Sequence, residues 1–97
     1  MAAAIHYQPR FQPGQLVMTA GVNDLIQQGV FDATAYIQRH LNGDWGDLCD
    51  EDRQANDTAL IHGTRLLSSY QVAPAATLWI ITEWDRSVTT LLLPNEY

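Results

Sequence analysis

Thr77-Leu78-Trp79-Ile80-Ile81-Thr82-Glu83-Trp84, followed closely by Ser87-Val88-Thr89-Thr90-Leu91-Leu92-Leu93, is the stretch that decides the fold. Its β-branched and large apolar residues suit strands, whose successive side chains point to opposite faces. Residues 65–72 read as a strand that precedes it. Ala73-Pro74-Ala75-Ala76 and Trp84-Asp85-Arg86-Ser87 carry turn residues. Three strands joined by short turns make an antiparallel meander. Leu78 and Ile80 point one way, and Trp79 and Ile81 the other, so both faces are apolar. A small antiparallel sheet usually keeps one face polar and wet. Helices can cover the Leu78 side. Trp79 and Ile81 then require a second cover: a protein partner, a second copy of the chain, or the N-terminal arm.

Upstream of the meander the apolar spacing is helical. Thr19 is placed to cap a helix over 20–28, with Val22, Leu25 and Ile26 on one face and Gly29 as its stop. Asp32 is placed to cap a second helix over 33–41, ended by Asn42-Gly43, with Val30 as a staple onto Tyr36 or Ile37. Asp50 is placed to cap a third over 51–62, ended by Gly63, with Ala55, Ala59 and His62 on its inner face. Residues 15–19 form a short strand before the helices. The expected architecture is α+β: a short N-terminal strand, two to three helices, then a three-stranded antiparallel meander packed on them. Residues 1–10 are expected to form a disordered arm and 11–97 a single domain.

Composition narrows the functional classes. The chain has 97 residues, too few for a second core. A 46% hydrophobic and 16% charged balance suits a folded domain rather than a disordered one. Net charge is −6, all five basic residues are arginine, and no basic stripe exists to meet a nucleic acid backbone. Direct nucleic-acid binding is therefore not expected. Cys49 is the lone cysteine, so no internal disulfide can form, and a reducing compartment fits. No signal-peptide pattern and no apolar run of membrane-spanning length is present. The expected location is the cytoplasm.

Four constellations could carry chemistry. Asp44, Asp47, Asp50, Glu51, Asp52 and Asp57 crowd six acids into fourteen residues against Arg53 alone. Their spacing does not match a calcium loop, and no metal is expected. They read either as a helix start that complements its dipole or as a surface for a basic partner. His40 and His62 sit near helix C-termini, where a histidine interacts well with free carbonyls. Cys49 lies among carboxylates, which disfavour a thiolate. Finally, a nuclease-like set can be drawn from His40 as base, Arg86 on phosphate and Thr89 as a hydrogen-bond donor. Metal-independent ribonucleases of the barnase-like type also set helices before an antiparallel sheet, a likeness at the level of fold. The plainer reading of that hairpin is a turn with an Asp85–Arg86 surface pair.

The segments Arg39-His40-Leu41-Asn42-Gly43-Asp44-Trp45-Gly46-Asp47-Leu48 and Leu78–Pro94 resemble a family of small bacterial proteins labelled plasmid-related, often carried on mobile elements. Phe11-Gln12-Pro13-Gly14-Gln15, Arg65–Tyr70 and the ending Pro94-Asn95-Glu96-Tyr97 share the resemblance. It implies a bacterial, mobile-element setting and carries no catalytic residues. The expected function is a non-enzymatic acidic interaction protein, an accessory or anti-defence inhibitor. It would bind a protein partner through Asp44, Asp47, Asp50, Glu51, Asp52 and Asp57 or through Trp79 and Ile81. No cofactor and no membrane is expected, and a homodimer through the sheet is a separate expectation. The alternative is the small ribonuclease or toxin-like enzyme built on His40, Arg86 and Thr89.

Overall fold

The structure, a computed structural model, describes residues 9–97. The expected arm lies almost wholly outside the described residues. Arg10, its last residue, is described, and its backbone N–H donates to the Leu41 carbonyl at 2.8 Å. The elements run β1 (Gln15–Met18), α1 (Ala20–Gln27), α2 (Ala33–Leu41), α3 (Asp50–His62), β2 (Leu66–Ala73), β3 (Ala76–Thr82) and β4 (Val88–Leu92), closed by a 3-10 turn at Pro94–Glu96. This is the α+β arrangement expected. The sheet has four strands rather than three, in the order β1-β4-β3-β2. The meander is antiparallel, and β1 adds to its β4 edge in parallel, Gln15 opposite Val88 and Met18 opposite Leu91.

Local chemistry explains most helix boundaries. The Thr19 hydroxyl accepts from the Val22 N–H, and an Asp32 carboxylate oxygen accepts from the Thr34 N–H at 3.0 Å. Gly63, at φ +69°, takes the left-handed conformation that ends α3. Three details differ from the sequence reading. The N-cap of α3 is Cys49, not Asp50, and no side chain bonds its first turn. Asp50, Glu51 and Asp52 all fall inside that turn, where the dipole alone favours them. The staple onto α2 is Phe31, whose ring meets Tyr36 edge-on at 5.8 Å, while Val30 is exposed. The inner face of α3 is Asn56, Ala59 and Leu60; Ala55 and His62 are exposed.

Two apolar clusters result. Val22, Tyr70, Leu78, Ile80 and Leu91 are buried under α1 and α2, with Ile26, Tyr36 and Ile37 packed against them. Trp45, Ala59 and Leu66 form the second, with Phe11, Leu48 and Leu60 around it. On the opposite sheet face Ile81 is only 4% exposed, so it offers no surface to a partner. The expectation that Ile81 forms a docking residue is corrected by that burial. Trp79, on the same face, is half-buried. Tyr97 meets its ring edge-on at 5.8 Å, and Arg65 in turn holds Tyr97 through its hydroxyl (2.5 Å) and its ring face. Glu96 anchors this C-terminal segment by accepting from the Thr19 hydroxyl (2.5 Å) and the Gly21 N–H (3.1 Å). The chain therefore supplies part of the second cover from its own end.

Candidate functional site

His40 lies on the last turn of α2 and is 0% exposed. Its Nδ1 is 2.5 Å from the Ser68 hydroxyl on β2, and its Nε2 is 2.9 Å from the Thr82 hydroxyl on β3. Thr82 is 2.7 Å from the Thr89 hydroxyl on β4, which donates to the Pro13 carbonyl at 2.7 Å. The proton directions follow from that last bond, because a carbonyl only accepts. Thr89 gives its proton to Pro13, so it must accept from Thr82. Thr82 must then accept from His40, which carries its proton on Nε2. Nδ1 is left to accept from Ser68. The relay runs Ser68, His40, Thr82, Thr89, Pro13, and it ties α2 and the segment before β1 to all three strands of the meander. Among the described residues no buried side-chain nitrogen or oxygen lacks a partner.

Aromatic rings enclose the imidazole. Phe11 and Trp45 meet it edge-on at 5.3 and 5.7 Å. Burial, with a smaller contribution from the nearby Arg86 charge, pushes the His40 pKa down to about 3. The ring is neutral at physiological pH, as the relay requires.

Arg86 sits at the β3–β4 turn with φ +58°. Its guanidinium donates to the carbonyls of Thr64 (2.6 Å), Glu83 (3.1 Å) and Ala59 (3.1 Å) and lies 5.6 Å from the Phe11 ring centroid. It clasps the hairpin to the C-terminal end of α3. The expected Asp85–Arg86 pair does not form: Asp85 instead accepts from the N–H and hydroxyl of Ser87. Replacing Arg86 with alanine removes charge-assisted bonds to three carbonyls. We expect this to lower stability by about 2–4 kcal/mol, read as a shift in urea midpoint.

Thus His40, Arg86 and Thr89 do come together. His40 and Thr89 are buried in the core and Arg86 lies half-buried beside them, with both imidazole nitrogens bonded and the guanidinium held by backbone. A substrate would reach His40 only if the packing of Phe11, Trp45 and the strands around the imidazole opened. Ser68 and Thr82, the relay members that the sequence reading passed over, had one visible signal. Each shares its strand parity with buried apolar residues: Ser68 with Leu66 and Tyr70, Thr82 with Leu78 and Ile80.

The acidic stretch divides in two. Asp44 forms a 2.6 Å ion pair with Arg39, which holds its carboxyl below the usual range, and it also accepts from the Gly46 N–H. Asp47 accepts from the Gln71 N–H at 2.9 Å, and Asp57 from the Trp45 indole at 3.0 Å. These three acids fasten the 43–48 loop to α2, β2 and α3 respectively. Asp50, Glu51 and Asp52 are exposed in the first turn of α3. Arg10 and Arg53 flank Asp44 and Asp57 around a shallow groove of about 310 Å³. No cluster of three or more metal-ligating side chains occurs among the described residues. No helix among them is long and apolar enough to cross a membrane. Compared with protein-family models, curated proteins and solved structures, the chain finds no match.

Proposed function

We propose that the chain is a non-enzymatic interaction protein that presents the outer side of α3 to a protein partner. One observation carries this reading: His40, Ser68, Thr82 and Thr89 are sealed into the core, while Asp50, Glu51 and Asp52 are exposed and make no side-chain bond among the described residues. Two large apolar residues are also left outside, Ile61 at 81% and Trp84 at 67% exposure. Both belong to the end of the molecule where Arg86 clasps the hairpin to α3. Acids at the start of α3 and exposed apolar anchors about 15 Å away at its other end suit an extended partner surface that is basic at one end and apolar at the other. The bacterial mobile-element setting, and an accessory or anti-defence role within it, come from the family resemblance and belong to the same proposal. The ribonuclease alternative has less support, since it needs the His40 relay to open.

Capture from extracts of the native host tests this. Wild type should retain a partner that D50N/E51Q/D52N and W84A each lose, with retention weakening as salt rises. Equal recovery of the same partners by wild type and both variants would overturn the reading.

A further inference from the structure

We infer that a second copy of this chain pairs with the outer edge of β1, joining two sheets into one across a two-fold axis. The Gln15 N–H donates to the Ser87 carbonyl and the Thr19 N–H to the Leu91 carbonyl, both at 3.0 Å. Odd-numbered residues of β1 therefore face β4. Alternation along a parallel ladder turns the N–H and C=O groups of Leu16 and Met18 outward. Among the described residues no strand pairs with that edge.

Natural sheets protect such an edge with a charge, a proline or a bulge. Here β1 is short, at four residues, which itself limits pairing, but Gln15-Leu16-Val17-Met18-Thr19 carries no charge, proline or bulge, and the nearest charged residues in sequence are Arg10 and Asp24. The edge is also self-complementary. An antiparallel copy centred on Val17 sets Leu16 opposite Met18 of the second copy, and each such pair exchanges both backbone bonds. The parallel register puts Leu16 level with Thr89 and Met18 level with Leu91. Their side chains thus lie on the helix-covered face, where they are 48% and 46% exposed. Pairing would bring them together and remove apolar surface from water on both copies. The other edge, β2, is treated differently: the 43–48 loop bonds it through Ser69, whose N–H donates to Trp45 and whose carbonyl accepts from Asp47.

Net charge of −6 on each copy opposes association at long range, so added salt should strengthen this contact. That response is opposite in sign to the one expected for an acidic rim on a basic partner, so the two proposals fail separately. The test is sedimentation of the full chain over a roughly hundredfold concentration range at low and high salt. Twice the chain mass should appear as concentration and salt rise. Leu16→Pro, which removes one outward donor, should stay monomeric with unchanged circular dichroism. Should that variant misfold, hydrogen exchange of the wild type decides. The Leu16 and Met18 amides should gain protection with concentration, while the inward Val17 amide stays protected throughout. A monomer at every concentration, a Leu16→Pro dimer as strong as wild type, or concentration-independent exchange at Leu16 and Met18 would overturn the inference. Dimer gain on deleting residues 1–8 would assign the edge to that segment instead, and would also overturn it.

Discussion

Between pH 6.5 and about 4.5 this protein should lose much of its stability, and His40 should be the cause. The imidazole is held neutral in the core with its pKa lowered to about 3, against 6.5 in an unfolded chain. In that window the unfolded state binds a proton that the folded state refuses. Stability is therefore complete above pH 6.5 and falls as pH drops towards the folded value. A shift of this size corresponds to at most about 4–5 kcal/mol at full development. A domain of this length is stable by roughly 5–15 kcal/mol, so the loss is large. The carboxylates with lowered pKa values, Asp44, Asp85 and Glu96, also lose stabilising charge on acidification, but only from about pH 5 downward, where their unfolded-state counterparts begin to protonate. The earlier part of the loss therefore belongs to His40. Urea midpoints should decline from pH 7.5 to 5 in wild type. His40→Gln keeps one donor and one acceptor and cannot charge. It should be less stable at pH 7.5, yet flat across the same window. Nitrogen chemical shifts should show His40 as the Nε2–H tautomer at pH 5. A parallel decline in the variant, or an imidazolium at pH 5, would contradict the relay as drawn.

Several features of this fold were legible in the sequence because their causes are local. Thr19 and Asp32 cap the helices they precede, and the residues that follow α2 and α3 include glycines at positive φ. Period two over 77–93 identified β3 and β4. The partner of β1 was not legible: four residues carry little signal, and a parallel contact with β4 spans most of the chain. The internal bonds of the acidic stretch were not legible for a related reason. Asp47 and Asp57 are exposed, as read, but the donors they accept from, Gln71 and Trp45, lie 24 and 12 residues away in sequence. His40 was visible as a histidine on a helix face. What made it a core residue was the small polar side chains of Ser68, Thr82 and Thr89 arriving beneath it from three strands.

Gly46→Ala should be, with Gly14→Ala, among the most damaging single methyls that can be added to this chain. Gly46 has φ +78°, where an L side chain costs roughly 1–2 kcal/mol. Gly29 has φ +76° and open space around the position of a Cβ, so Gly29→Ala should cost that strain and little more. At Gly46 the added methyl would overlap the Ser69 carbonyl oxygen and the ring of Tyr70. Neither can give way cheaply. Ser69 is fixed in the β2–β3 ladder opposite Trp79, and its carbonyl already accepts from the Asp47 N–H at 2.7 Å. The Tyr70 ring is buried in the main cluster, and its hydroxyl donates to the Asp44 carbonyl at 2.5 Å. Relief requires the 43–48 loop to lift from β2. Lifting it breaks the bonds from Asp47 and to Asp44, and draws Trp45 away from Ala59 and Leu66. It also takes Trp45 off the imidazole of His40. Strain, lost bonds and a disturbed cluster together should exceed about 4 kcal/mol, at the diagnostic extreme for one substitution. Gly46→Ala should therefore be largely unfolded under conditions where Gly29→Ala shows only a modest shift in urea midpoint. The two glycines share a backbone conformation, so the difference between them measures the steric closeness of loop and strand. Equal midpoints for the two variants would mean that the 43–48 loop does not hold β2 as closely as the Gly46–Ser69 bridge implies.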